Sequence, residues 1–524
     1  MTRQNFLLSG LLLILLTNQG LAQLTQPRRL EIIVKNSDHD FQVVSMGVEG
    51  LALIRDLDKY SKGKKRWQLE VVDTALTIIW STEMELDNQL SLVGYEHSPG
   101  RLFLLFRDDQ TAIHTFQLAN ILLVDQYFQI DKIQFDLNFR LTHFTVAGNS
   151  AIFGGYVNSE PAVLLYNRSS EHPKVLPGLF TKGINLLDVR ANQSQSFNVL
   201  LVENKRADES NLILRTFDQN GNLLIDDVIQ IEPRYTILSG ITSTLVHDEM
   251  MIAGTFSEGN GKQAVGFYSV SVDPFGEQPV RYWDFGSLGH FLDYLPETKS
   301  RKIKNKVLRE KAAGRSFSYK ANVVLFRMAE LSGAFYLFGE MFHPATGVNS
   351  NPYGSTAWNN EYGSFPSPGD PYRSGRYNNL MYRPDPPFRT VESRLIQSVV
   401  LKFSSPAAAP ADISMKLEDI KKPMLEQTSD FLLSKDSVVL AFKKQNEIRY
   451  QKESGDPDIL PNIATAFVTL SSQEDIFKDE NMDGGGMRFW YGSHFYAWGY
   501  QRIKKDVNND SQSRYVFYVN RVDL

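Results

Sequence analysis

The 524-residue chain contains no cysteine. Disulfides are therefore excluded, as is the lipid anchor of an exported lipoprotein, and stability must come from burial alone. Long apolar runs are almost as scarce. The one at the N-terminus, Phe6 to Leu16 (FLLSGLLLILL), falls short of the roughly 20 residues a membrane helix needs, and no later run approaches that length, so no transmembrane helix is expected in the mature chain. Charge of one sign is missing too. Lys and Arg number 55 against 60 Asp and Glu, a net charge of -5, which gives no electrostatic footprint for nucleic acid. Catalytic signatures are absent: there is no H-E-x-x-H, no G-x-S-x-G and no P-loop. The lone S-x-x-K, Ser61 to Lys64, lies in a Lys-rich stretch without its companion motifs. The nine histidines are scattered singly, as surface or satisfied core histidines are.

Among the features that are present, the N-terminus is read first, because a targeting segment has to be set aside before the fold. Arg3 supplies a positive start, Phe6 to Leu16 an apolar centre, and Gly20 and Ala22 the small residues read at a cleavage site. Residues 1–22 are expected to be a signal peptide, with the mature chain starting at Gln23 and exported to the periplasm, cell surface or exterior. Hydrophobic residues at 42% and aromatic residues at 12% then suffice for a packed core and exclude global disorder.

The mature chain is dominated by short aromatic and β-branched runs between polar turns, the signature of strands and hairpins. Examples are Arg101 to Phe106 (RLFLLF), Phe197 to Val202 (FNVLLV) and Leu212 to Phe217 (LILRTF), with turn chemistry at Asp218-Gln219-Asn220-Gly221. Helical periodicity is rare, so the class is all-β. A Gly-containing apolar run leading to a second apolar run recurs. It appears at Ala151–Val157 with Ala162–Tyr166, at Met251–Phe256 with Ala264–Val270, at Phe335–Met341 with Ile396–Phe403, and at Phe495–Tyr500 with Tyr515–Val519. Gly154 and Gly254 lie 100 residues apart with the hairpin of Phe197 to Phe217 between them, so the local period is about 50, the size of a propeller blade. The chain thus resembles secreted β-propeller proteins of uncharacterised function. The resemblance implies one propeller of about six to eight blades over residues 23–524, without Trp-Asp, kelch or Asp-box signatures. Tandem β-sandwich domains are the alternative. An outer-membrane barrel fits the Gly-anchored repeats and the terminal Leu524 poorly.

Two segments break the pattern. In 297–315 (ETKSRKIKNKVLREKAAGR), Ile303, Val307 and Leu308 lie about one helical turn apart among many Lys and Arg, which predicts a short basic surface helix. It reads either as a solvated helix face or as a patch for an anionic polymer or lipid headgroup. Residues 343–389 form an insertion rich in Pro, Gly, Asn and Ser, too long for an ordinary hairpin connection. Its Tyr353, Trp358, Tyr362, Tyr372 and Tyr377, interleaved with Asn and Arg, have the mix used by recognition loops and are the candidate binding residues for a glycan or peptide.

One cation signal is present. Asp479, Asn481, Asp483 and Gly484 spell the first half of a Ca²⁺ loop, but the twelfth position is Trp490 where a bidentate Glu is needed. Weak Ca²⁺ binding is the metal expectation, and no other cofactor is indicated. These observations together favour an exported, non-enzymatic binding or scaffold protein. The alternative is a carbohydrate-active enzyme, hydrolase or lyase, with acids converging on a propeller channel.

Overall fold

The computed structural model describes residues 24–524 apart from 345–392, the shorter stretches 109–114, 204–209, 245–249 and 455–461, and isolated turn positions. The chain is an eight-bladed β-propeller: seven four-stranded antiparallel sheets follow one another in sequence, and one five-stranded sheet closes the ring. The blades start with the strands Gln42–Ser45, Leu90–Ser98, Phe139–Ala147, Ile184–Ala191, Tyr235–Thr242, Asn322–Leu331 and Ser429–Ser434. In the eighth blade the first strand is broken into Asp475–Glu480 and Gly486–Tyr491. First strands touch first strands of the next blade, as in blades two to three, three to four and four to five, so they line the hub.

Why the sequence reads as nearly unbroken apolar runs is visible in the packing. Each blade is buried on both faces, and a hydrophobic cluster fills each of the eight seams between neighbours. Along Ser196–Glu203, Phe197, Val199 and Leu201 enter the seam with blade three, whereas Leu200 and Val202 enter the seam with blade five. A strand with one wet face would alternate; one buried on both faces need not. The outermost strand Leu223–Gln230, wet on one face, does alternate in part.

The recurrent glycine has a structural cause. The hub strands of blades two to six each carry a one-residue bulge, at Val93, Thr142, Leu187, Leu238 and Phe326. A bulge pushes its strand toward the neighbour. In blades three, five and six a second-strand glycine lies near it, and a Cβ on Gly155, Gly254 or Gly339 would collide with the carbonyl oxygen of Arg140, Ser239 or Val324 respectively; in blades two and four leucine or phenylalanine stands opposite the bulge instead. The repeated apolar pairs found in the sequence are the second and third strands of blades three, five, six and eight.

Chain ends close the ring. The N-terminal strand Thr25–Ile33 is the outer strand of the eighth blade, beside Asp510–Asp523. The basic segment forms the helix Glu297–Ala312 in the connection between blades five and six. Val307 is buried and Ile303 packs on the same seam, but Leu308, expected in that stripe, is 64% exposed. Leu308 follows Val307 by one residue, so the helical turn of about 100° per residue carries it off the packed face.

Candidate functional site

In a four-stranded antiparallel blade, the connection from one blade to the next and the loop between strands two and three leave from the same face of the ring. Three features share that face. They are the connection entering blade five at Glu232 to Tyr235, the connection carrying the helix, and the junction Pro344/Ser393 from which residues 345–392 depart. The candidate binding residues Tyr353, Trp358, Tyr362, Tyr372 and Tyr377 fall in 345–392 and lie outside the described residues.

A cavity of about 320 Å³ opens on this face at blade five, lined by Glu232, Arg234, Tyr235, Arg281, Tyr282 and Trp283 with Val280. Its floor is aromatic. Tyr235 and Tyr282 lie 4.3 Å apart between ring centres, and Phe256 supports both at 4.7 and 5.0 Å. The rings can meet across the blade because Gly266 stands between them; a Cβ there would come within 2.6 Å of Phe256 Cε1. Arg234 stacks over Tyr235 at 4.6 Å and is held by Glu232 at 2.9 Å. Glu232 in turn donates its backbone N–H to the Tyr282 hydroxyl at 3.4 Å. Arg281 is exposed and has no ion pair among the described residues.

Acids border the cavity. Asp284, the residue after Trp283, has its carboxyl raised above the ordinary range, by burial first and by the neighbouring Glu258 carboxylate second, against the opposing charges of Lys311 and Arg234. Glu258 accepts a hydrogen bond from Ser318 Oγ at 2.5 Å. Burial likewise raises the hydroxyls of Tyr235 and Tyr282. Flat rings, a stacked guanidinium, an exposed guanidinium and a half-buried carboxyl together suit a ligand with apolar faces and polar edges, the description of a sugar ring.

A second polar group lies at the hub. Glu96, Thr145 and Arg190 occupy equivalent places, three residues beyond the bulge, in blades two, three and four. Thr145 donates to Glu96, while Arg190 Nε donates to Asp188 at 3.0 Å, and Asp188 also accepts from the Thr242 backbone N–H at 3.0 Å. Burial outweighs Thr145, Arg190 and the His97 N–H, pushing Glu96 up to about 8. Asp188 and Arg190 are closed from solvent, so this row ties blades together rather than presenting an open site.

The Ca²⁺ candidates are divided. Asp479 lies one residue before the end of its strand with its carboxylate 3.7 Å from the Arg502 guanidinium, Asn481 follows that strand and donates its backbone N–H to the Tyr500 carbonyl, and Asp483 lies outside the described residues. The blade-five cavity was not anticipated from sequence, because its walls come from two segments nearly 50 residues apart. A signal did exist: the pair Arg-Tyr recurs at Arg234-Tyr235 and Arg281-Tyr282, in segments that topology brings together.

No protein-family profile matches the chain, and no curated protein does. Solved structures are similar only in general architecture. A polysaccharide lyase aligns at 6% identity over 94% of this chain and 99% of its own, with a TM-score of 0.39. The β-propeller domain of the trilobed protease from Pyrococcus furiosus aligns at 7% identity over 81% and 95%, TM-score 0.34. An acylaminoacyl peptidase from Pyrococcus horikoshii aligns at 6% over 81% of this chain and 52% of its own, TM-score 0.33.

Proposed function

We propose that the protein is an exported, non-enzymatic glycan-binding protein whose primary contact is the blade-five cavity. The observation that carries this reading is the Tyr235–Tyr282 ring pair with Arg234 stacked on it and Arg281 beside it, in a cavity of about 320 Å³, large enough for a sugar unit and open to solvent. Rings stack on the apolar faces of sugars, and the two guanidiniums and Glu232 serve hydroxyl and acidic edges. Tyr353, Trp358, Tyr362, Tyr372 and Tyr377 are further proposed contacts, supported by sequence composition alone. Weak Ca²⁺ binding at Asp479, Asn481 and Asp483 is a subsidiary proposal, supported by sequence alternation alone.

Glycan microarrays followed by calorimetry test the reading. Arg281→Ala, an exposed change, and Tyr282→Ala are expected to weaken binding about tenfold or more with the Arg281 variant melting normally. A cavity variant that binds every ligand as the parent does would remove the proposal. One observation favours catalysis as a second reading: burial and the neighbouring Glu258 carboxylate raise the Asp284 carboxyl above its ordinary range, the direction a general acid needs. If glycan chains are shortened on incubation and Asp284→Asn abolishes this while preserving affinity, the enzyme replaces the binder.

A further inference from the structure

The helix Glu297–Ala312 holds seven lysines and arginines against two glutamates in 16 residues, within a chain whose net charge is -5. The charges are ordered. Ser300 and Val307 are buried and Ile303 packs against the same seam, and the neighbouring stripe Lys299, Lys302, Lys306 and Arg309 is exposed throughout. Spacings of three and four residues put these cations over one another along about 15 Å of helix. Like charges at such spacing destabilise a helix. Lys299, in the first turn, also opposes the positive end of the helix dipole. Compensation is sparse: Lys306 lies over the Phe317 ring at 4.3 Å and Arg309 reaches Glu310 only at 4.0 Å, while Lys299 and Lys302 have no ion pair among the described residues. A solvated face has no need of this arrangement, because alternating signs would serve solubility better.

The stripe adjoins the cavity. Lys311, in the last turn of the helix, and Arg234, in the cavity wall, act on the same carboxyl, Asp284. Trp283 of the cavity wall and Ile303 of the helix pack on the same seam cluster. Lipid is disfavoured as the occupant, since an interfacial helix turns its apolar face outward, whereas here that face is packed on the propeller and only Leu308 is exposed among the large apolar side chains.

We infer that the helix is the second half of the binding surface and that its partner is an anionic polysaccharide, bearing uronate or sulfate groups, which lies along Lys299, Lys302, Lys306 and Arg309 and places one sugar in the blade-five cavity. This rests on the glycan-binding reading of that cavity and adds the charge of the ligand and its path. A linear chain of regularly spaced acidic groups fits a row of cations at helical spacing, and such contacts weaken as salt screens them.

The test compares polygalacturonate and dextran sulfate with neutral laminarin and unmodified dextran, in low and high salt, against the parent, the triple variant K299Q/K302Q/K306Q and Arg281→Ala. The expected result is binding of the anionic chains only, weakened at least tenfold in the triple variant and by raising salt from 0.05 to about 0.5 M, with an unchanged melting temperature. Equal binding of neutral chains, untouched by the triple variant but lost in Arg281→Ala, would overturn this inference and leave the cavity reading standing. No binding of any glycan would overturn both. Equal binding of anionic phospholipid vesicles or DNA through the same lysines would overturn the inference in favour of a general polyanion surface.

Discussion

Gly254 occupies a strand position where a neighbour's backbone stands in place of a side chain: a Cβ would overlap the Ser239 carbonyl and come within 2.6 Å of Tyr268 Cε1. Neither obstacle can move without unmaking the bulge, so Gly254→Ala is expected to lower stability by about 1–3 kcal/mol, read from denaturant midpoints at unchanged slope. Gly333, a tight-turn glycine at φ +77° with open space around its Cβ position, should cost less on the same change, because only backbone strain acts there. Burial leads the causes that push Glu96, at the hub, up to about 8 and Glu340, on the second strand of blade six, up to about 7. Glu340 accepts from the Thr428 and Ser429 backbone N–H groups at 3.0 and 2.7 Å, joining blades six and seven. For a carboxyl raised on folding, the unfolded chain releases its proton first as pH rises. Stability should therefore fall from the ordinary carboxylate range up to about 8, and level off beyond. Glu96→Gln is expected to flatten that decline, by on the order of 2–4 kcal/mol at pH 9; melting curves from pH 5 to 9 that run parallel for parent and variant would refute it.

The hairpin was the element most legible in the sequence, and the reason is physical. Second and third strands are buried on both faces, so runs such as FNVLLV stand out, and in blades three, five and six a glycine pressed against the first strand's backbone marks the unit. First strands were harder, since bulges such as that at Thr142 interrupt their period and polar hub residues such as Asp188 interrupt their apolarity. The helix was legible from Ile303 and Val307, but Leu308 was placed wrongly because three apolar residues cannot fix the centre of a stripe. The cavity was illegible for a different reason: Tyr235 and Tyr282 meet only through the stacking of the first and outer strands across Gly266. On the insertion, sequence and structure yield one joint prediction. The flanking strands Ala334–Pro344 and Ser393–Phe403 stay paired to the junction, Pro344 opposite Ser393. Replacing 345–392 with a two-residue Asn-Gly turn is expected to preserve the fold and the melting temperature within about 3 °C, a window that corresponds to a loss of roughly 3 kcal/mol in a protein of this size. Aggregation or a lost cooperative transition in that variant would show that the segment belongs to the core.

Closure of the whole ring depends on a strand from the far end of the chain. Thr25–Ile33 pairs with Asp510–Asp523, so residues nearly 500 positions apart meet in one sheet. The contact is strongly polar at its inner edge. Arg29 donates to Glu31, Gln501 and Asn520 at 2.7, 3.0 and 3.1 Å, and Arg514 joins Glu31 and Asp475 at 3.1 and 2.7 Å. Burial alone would raise Glu31, but Arg29 and Arg514 outweigh it and hold the carboxyl low; the Arg514 hydrogen bond does the same for Asp475. For carboxyls lowered on folding the sign is opposite to that at the hub: their contribution is present above the unfolded values, about 4, and is lost as pH falls through the lowered ones. A propeller has no edge to spare, since an unclosed last blade exposes a row of backbone groups and two apolar seams. Deleting residues 23–34 is thus expected to remove one strand but destabilise the ring globally. A synthetic peptide covering 23–36 should bind the exposed edge of Asp510–Asp523 by strand addition and restore the melting temperature at neutral pH, with the rescue fading progressively as pH falls from about 4 toward the lowered values of Glu31 and Asp475. If the truncated protein melts as the parent does, or if the peptide rescues it equally in acid, closure does not rest on this strand and its ion pairs.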